Sequence, residues 1–192
     1  MPGLKGPRIQ PRAQALGCGK PMTCLFGGRS EGAQERFLFI TMPQSLAKIY
    51  VHLIFSTKNR ERMVPDDLRP DLHAYLGGVL RDLGCTPVEI NTEPDHAHLF
   101  FLLSRTVALS DIVRQVKTGA TKWLIEKNRP TLKSFHWQNG YGAFSVSQSG
   151  VEEVRAYVRN QREHHRVMTF QEEFRKFMER YEVEYDERYV WD

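Results

Sequence analysis

Between Lys48 and Ser147 the hydrophobic period switches repeatedly between two and about 3.6, and the order of the switches restricts what the chain can become. Lys48–Thr57 alternates β-branched, aromatic and apolar residues and reads as a strand. From Asp67 to Leu83, Leu68, Leu72, Tyr75, Leu76, Val79, Leu80 and Leu83 recur at helical spacing. Asp66 or Asp67 is placed to cap that helix, Pro70 falls in its first turn, and Gly84 ends it. Thr86–Thr92 and His96–Ser104 read as strands, and Leu109–Asn128 as a helix with Ser110 or Thr106 near its start and Pro130 beyond its end. Phe135–Ser147 holds a short strand after the turn-like pair Asn139-Gly140.

Strand-helix-strand-strand-helix-strand is the split βαβ order. It predicts an α+β, ferredoxin-like antiparallel sheet with helices on one face. Two further helix starts follow. Ser149-Gly150-Val151-Glu152 and Thr169-Phe170-Gln171-Glu172 both have capping-box spacing. The second opens a helix with an aromatic stripe, Phe170, Phe174, Phe177 and Tyr181, so a C-terminal helical extension is expected.

Residues 1–41 are rich in Gly, Pro, Arg and Gln and show no sustained period, which predicts a disordered extension. Met42 opens the patterned part and is expected to be the true start. The domain reading is therefore 1–41 as extension, 42–166 as catalytic domain and 167–192 as C-terminal helix and tail. Net charge is +4, but residues 1–41 carry six of the 27 basic and two of the 23 acidic residues, leaving 21 of each in the remainder. Any nucleic-acid footprint must then come from local placement of charge. Three cysteines, Cys18, Cys24 and Cys85, form neither a disulfide framework nor a zinc spacing and suit a reducing cytoplasm. No run approaches the roughly 18 apolar residues that span a membrane, so no membrane partner is expected.

The chemistry concentrates in Pro94-Asp95-His96-Ala97-His98. In a strand, His96 and His98 share a face with Phe100 and Leu102, while Ala97, Leu99, Phe101 and Leu103 form a wholly apolar second face. Two imidazoles side by side can hold a divalent metal; two ordinary histidines at a strand edge fit the same pattern. Asp95 can orient an imidazole or merely shape the turn. In the helix after Gly150, Val151, Val154 and Val158 define a buried face, with Tyr157 and Gln161 one turn apart on its flank. A tyrosine can be a covalent nucleophile, a metal can polarise a phosphate, and Gln161 offers a neutral oxygen as third ligand. Two imidazoles and an amide leave coordination positions open, which suits Mg²⁺ or Mn²⁺; zinc prefers a carboxylate or cysteine in third place.

These segments resemble a family, the single-tyrosine HUH transposases of the 200/605 insertion-sequence type, including the REP-associated branch. The resemblance runs from Met42 to about Gln161. It rests on Tyr50-Val51-His52-Leu53-Ile54-Phe55-Ser56-Thr57-Lys58, Pro94-Asp95-His96-Ala97-His98, Trp137-Gln138-Asn139-Gly140-Tyr141-Gly142 with Phe144-Ser145-Val146-Ser147, and Tyr157 with Gln161. It implies a Mg²⁺- or Mn²⁺-dependent transposase that binds single-stranded DNA hairpins. Tyr157 would form a 5′-phosphotyrosine and leave a free 3′-hydroxyl. It implies a nucleoid-associated cytoplasmic protein and, from the insertion-sequence members, a homodimer. The helix and tail beyond Arg166 look more like the REP-associated branch.

Candidates for DNA contact are Lys58 and Arg60, with Arg62, after the first strand, and Arg114, Lys117 and Lys122, with Thr118 and Thr121, on the second helix. A solvated face explains either group equally well. Trp137 or Tyr141 could stack on a base, or belong to the core. Two other classes fit the same residues: a noncatalytic hairpin-binding protein, and a metal-dependent phosphohydrolase with water as nucleophile.

Overall fold

The structure, a computed structural model, describes residues 46–165 and 168–187. The chain divides into Met1–Pro43 and Gln44–Asp192, and the described residues all belong to the second unit. The expectations for residues 1–41 and for a start at Met42 lie outside the described residues.

Four strands, β1 (Tyr50–Ser56), β2 (Thr86–Thr92), β3 (His96–Leu102) and β4 (Gly142–Val146), form a sheet in the order β2-β3-β1-β4. Every neighbouring pair is antiparallel. With α1 (Arg69–Asp82) between β1 and β2 and α2 (Leu109–Ile125) between β3 and β4, this is the ferredoxin-like topology. Period-two patterning sorts the faces. Val51, Leu53 and Phe55 of β1 and Ala97, Leu99 and Phe101 of β3 pack with Leu72, Leu76 and Leu80 of α1 and Ile112, Val116 and Leu124 of α2. Each of these side chains larger than alanine contributes roughly 1.5–3 kcal/mol when fully buried.

The opposite face is covered as well. It carries α3 (Val151–Arg159), α4 (Gln161–His164) and α5 (Phe170–Arg180). Phe100 packs with Val151 and Val158, and Ile54 and Phe144 with Phe170, Phe174 and Met178. The C-terminal extension is thus a second helical layer over the histidine face. No helix among the described residues is long and apolar enough to cross a membrane.

Helix starts differ in part from the sequence reading. Neither Asp66 nor Asp67 caps α1; both lie in a 3₁₀ turn, Asp66–Leu68, where Asp66 accepts from Arg69 and Asp67 pairs with Arg129. Ser110 and Thr106 both lie near the start of α2 as expected, but Ala108 takes the N-cap position and no side chain caps it. Ser149 lies in the 3₁₀ turn Gln148–Gly150, and Gly150 takes the N-cap position of α3 without a side-chain bond. The second box is present in full: Thr169 Oγ1 accepts from the Glu172 amide, and Glu172 Oε2 accepts from the Thr169 amide.

Tyr157 and Gln161 do not share one helix. The chain breaks at Asn160, whose φ of −96° and ψ of 20° leave the helical region. The cause is tertiary. Asn91 Nδ2 of β2 donates to the carbonyls of Val158 at 2.9 Å and Arg159 at 3.2 Å, so these oxygens are satisfied without the next helical turn. The break lets Gln161 turn inward to full burial while Tyr157 stays half-exposed.

Candidate active site

Antiparallel pairing sets His98 of β3 opposite Ile54 and His96 opposite Ser56 on β1, and Asn91 of β2 beside His98. His96 and His98 are buried, as is Gln161 at the start of α4. Each imidazole near the centre is oriented through Nδ1. His96 Nδ1 donates to Asp95 Oδ1 at 2.8 Å, and His165 Nδ1 to the Met168 carbonyl at 3.1 Å. His98 Nδ1 meets Nε2 of His52 at 3.0 Å. With the proton of each ring on Nδ1, each Nε2 carries a bare lone pair.

Those lone pairs converge. Metal-ligating atoms of His96, His98, His165 and Glu173 all lie within 4.8 Å of one another. Glu173 Oε2 is 3.4 Å from His165 Nε2 and 3.9 Å from His98 Nε2. Gln161 Nε2 donates to Glu173 Oε1 at 2.9 Å, which leaves the amide oxygen over. Of the buried side-chain atoms without a hydrogen-bond partner among the described residues, five belong to this cluster: Nε2 of His96, His98 and His165, Oε1 of Gln161, and Oε2 of Glu173. In these tautomers the three imidazole nitrogens and the Gln161 oxygen are acceptors, and Glu173 Oε2 joins them once its carboxyl is ionised. Facing acceptors in a dry site repel and lose their hydration, and a cation between them removes both penalties. The donor set fits a divalent metal ion.

Electrostatics agree. Burial holds His52 down to about 3 and His98 well below the usual imidazole range, with neighbouring histidines adding to the effect on His98. Burial also lowers His165. Neutral rings are the form that binds metal. Burial, then the charges of Asp95 and Glu93, push Glu173 up to about 8. Without a cation this carboxyl keeps its proton at neutral pH. Burial would raise Asp95 too, but the bond from His96 brings it below the ordinary carboxylate range.

Tyr157 stands at the edge of this cluster in the same chain. Its ring centroid is 6.2 Å from that of His98 and 6.0 Å from that of His52, edge-on to both. Phe177 of α5 packs on it at 5.7 Å and His164 at 4.8 Å. The ring borders a pocket of about 200 Å³ that Glu173, His165, Lys176 and Arg180 also line.

The other sequence candidates separate. Arg60 lines a pocket beside Asp95 and His96, with Arg62, while Lys58 is exposed on the adjoining turn. Arg114, Lys117 and Lys122 line a different groove, along α2, with Tyr141. There Lys117 is engaged internally, its Nζ donating to the carbonyls of Gln138 and Gly140, at 5.0 Å from the Phe55 ring centroid. Arg114 is exposed and paired with Asp111 at 3.0 Å. Trp137 is core, set edge-on against Phe55 and Phe135, and only Tyr141 has an exposed ring. Sequence reasoning missed His52, His165 and Glu173. Glu173 had one local signal: it sits three residues after Phe170 and one before Phe174, on the apolar face of its helix.

Residues 45–161 match the family model for IS200-like transposases, more than half of the chain. The chain belongs to the IS200-like transposase family. Two solved structures are similar to this IS200-like transposase. One is the crystal structure of a protein assigned as a transposase from Deinococcus radiodurans R1, at 22% identity and a TM-score of 0.50, over 62% of this chain and 95% of the other. It supports the fold. The other is a REP-associated tyrosine transposase bound to a REP hairpin, at 15% identity and a TM-score of 0.49, over 65% of this chain and 73% of that one. No curated protein matches the chain significantly. The family match ends at Gln161, so His165 and Glu173 lie beyond it.

Proposed function

We propose that this chain is a metal-dependent transposase that cleaves and rejoins single-stranded DNA at hairpins through a covalent tyrosine intermediate. The observation that carries the reading is the group of unpartnered buried acceptors on His96, His98 and Gln161, with the Tyr157 ring 6.2 Å from that of His98. Family membership supplies DNA as substrate, and the hairpin preference follows from the resemblance of the motifs.

His96, His98 and Gln161 would hold the ion, Mg²⁺ or Mn²⁺, with Asp95 orienting His96. When bound, the ion supplies positive charge to a scissile phosphate and to the charge that develops during displacement. Tyr157 Oη attacks phosphorus as the bond from phosphorus to the 3′ oxygen breaks, and the proton lost by the phenol is balanced by one taken up, through solvent, at the departing 3′ oxygen. The products are a 5′-phosphotyrosine and a 3′-hydroxyl. A 3′-hydroxyl from the same or another strand then attacks phosphorus and releases the tyrosine, so the phosphodiester is conserved and no nucleotide triphosphate is needed. Lys176 and Arg180, which share the pocket of Tyr157, are placed to attract the phosphate. Tyr157 and the imidazoles meet within one chain, so the chemistry needs no tyrosine from a second subunit. Arg60 and Arg62 hold DNA beside the site; Arg114, Lys122 and Tyr141 bind it along the α2 groove.

The test is a labelled hairpin single strand incubated with the protein and Mn²⁺, then run under denaturing conditions. A protein–DNA adduct that is absent in Tyr157→Phe supports the reading. Cleaved DNA with no adduct assigns a hydrolase, and intact bound DNA a binding protein. An undiminished adduct in Tyr157→Phe removes the tyrosine from its role.

A further inference from the structure

We infer that His165 and Glu173, both beyond the family-matched segment, are metal ligands, and that with them the site takes a first-row transition-metal ion such as Zn²⁺ or Mn²⁺ in preference to Mg²⁺. The inference extends the metal reading above and rests on it.

Four observations support the two residues. Glu173 is 5% exposed on a helix whose other inward side chains are Phe170, Phe174 and Met178. Gln161 satisfies only Oε1 of this carboxylate, so its buried charge still calls for a cation or a proton. Among the described residues its Oε2 has no hydrogen-bond partner, and neither has His165 Nε2, 3.4 Å away. His165 is turned by its own carbonyl contact, from Nδ1 to Met168, so that Nε2 faces inward. Both atoms belong to the set lying within 4.8 Å of one another, a spread that one ion about 2.0–2.4 Å from each donor can bridge.

The choice of ion follows from the donors. Two imidazoles and an amide leave positions for water and phosphate, which suits an octahedral ion. Three imidazoles and a carboxylate are a different environment: nitrogen-rich, with a charged oxygen. Mg²⁺ prefers oxygen donors and gives up water reluctantly, whereas Zn²⁺ and Mn²⁺ accept imidazole, with Zn²⁺ the tighter of the two. The capping box at Thr169 and the seating of Phe170 against the His96 ring, 4.5 Å between centroids, fix α5 so that Glu173 presents its carboxylate.

Calorimetric titration of the full chain with Zn²⁺, Mn²⁺ and Mg²⁺ tests this, using wild type, Glu173→Gln, His165→Ala and His98→Ala. Bound Co²⁺ gives a second readout, since its visible absorption reports the donors. Wild type is expected to bind Zn²⁺ most tightly, then Mn²⁺, and Mg²⁺ at least 100-fold more weakly than Zn²⁺. Glu173→Gln and His165→Ala are each expected to lose at least tenfold in Zn²⁺ affinity and to alter the Co²⁺ spectrum. His165→Ala changes a partly exposed side chain and carries the test if Glu173→Gln does not fold. Affinity and spectrum unchanged in both, with binding lost in His98→Ala, overturn this inference and leave the proposed function standing. Mg²⁺ binding as tight as Zn²⁺ in wild type overturns the preference. Binding unchanged in His98→Ala, or absent in wild type, overturns both.

Discussion

His98 Nδ1 lies 3.0 Å from Nε2 of His52, so the ring that projects into the centre of the site is held by a second histidine on the neighbouring strand. Both are fully buried, and burial keeps both neutral. His52 thus positions the His98 ring, and with His98 Nδ1 as the donor of that bond Nε2 is left to ligate. His52→Ala should leave the fold intact and lower metal affinity about 10-fold or more. Titration with Mn²⁺ or Zn²⁺ checks it. An affinity equal to wild type would show that His98 does not depend on this partner.

Asn91 holds the end of α3 through two carbonyls, and Tyr157 lies one and two residues before them. Asn91→Ala removes both bonds, which should cost about 1–2 kcal/mol of stability. Denaturant titration measures that loss. Adduct formation with a hairpin strand should fall more than hairpin binding does, because the substitution moves Tyr157 and leaves the α2 groove alone.

Gly142 of β4 lies under α5. A Cβ there would stand 2.9 Å from Cε2 of Phe174 and 3.0 Å from Cε2 of Phe144. Gly142→Ala should therefore destabilise the chain by about 1–3 kcal/mol through overpacking. Gly142→Ala combined with Phe174→Leu should recover part of the loss. A thermodynamic cycle over the four proteins gives the coupling, and strict additivity would mean that the two side chains do not collide.

Lys117 offers a pH test. Burial lowers its ammonium from the ordinary 10.5 to about 8, against the pull of the carbonyls it touches. Between those values the folded chain binds fewer protons than the unfolded chain, so this residue makes stability rise with pH from about 8 to 10.5. Allowing for its partial exposure, the rise attributable to it is about 1–2 kcal/mol. Across that window the stability of wild type minus that of Lys117→Met should increase with pH, the variant lacking this contribution. Parallel curves would show that the ammonium keeps its ordinary affinity for protons.

Much of this was legible locally. The separation of His96 and His98 from Leu99 and Phe101 is period-two alternation, and the sheet places those residues on opposite faces as the pattern predicts. The capping box at Thr169 and the stripe from Phe170 to Tyr181 form as the spacing indicates. The continuous helix through Tyr157 and Gln161 did not survive, because a side chain on β2 satisfies two of its carbonyls. No periodicity within the helix reports a hydrogen bond from a strand 67 residues earlier.

From sequence alone the chain determined its order of strands and helices, the face on which each strand buries its apolar side chains, and the placing of two histidines side by side on one strand face. Those properties are local: they follow from the repeat of the backbone and the chemistry of adjacent residues. Tertiary structure decided the composition of the site. Glu173 meets Gln161 and His98 because the aromatic face of α5 buries itself on Ile54 and Phe144. Hydrophobic burial is non-directional, so the partners that α5 finds depend on the shape of the assembled sheet and not on any signal near Glu173.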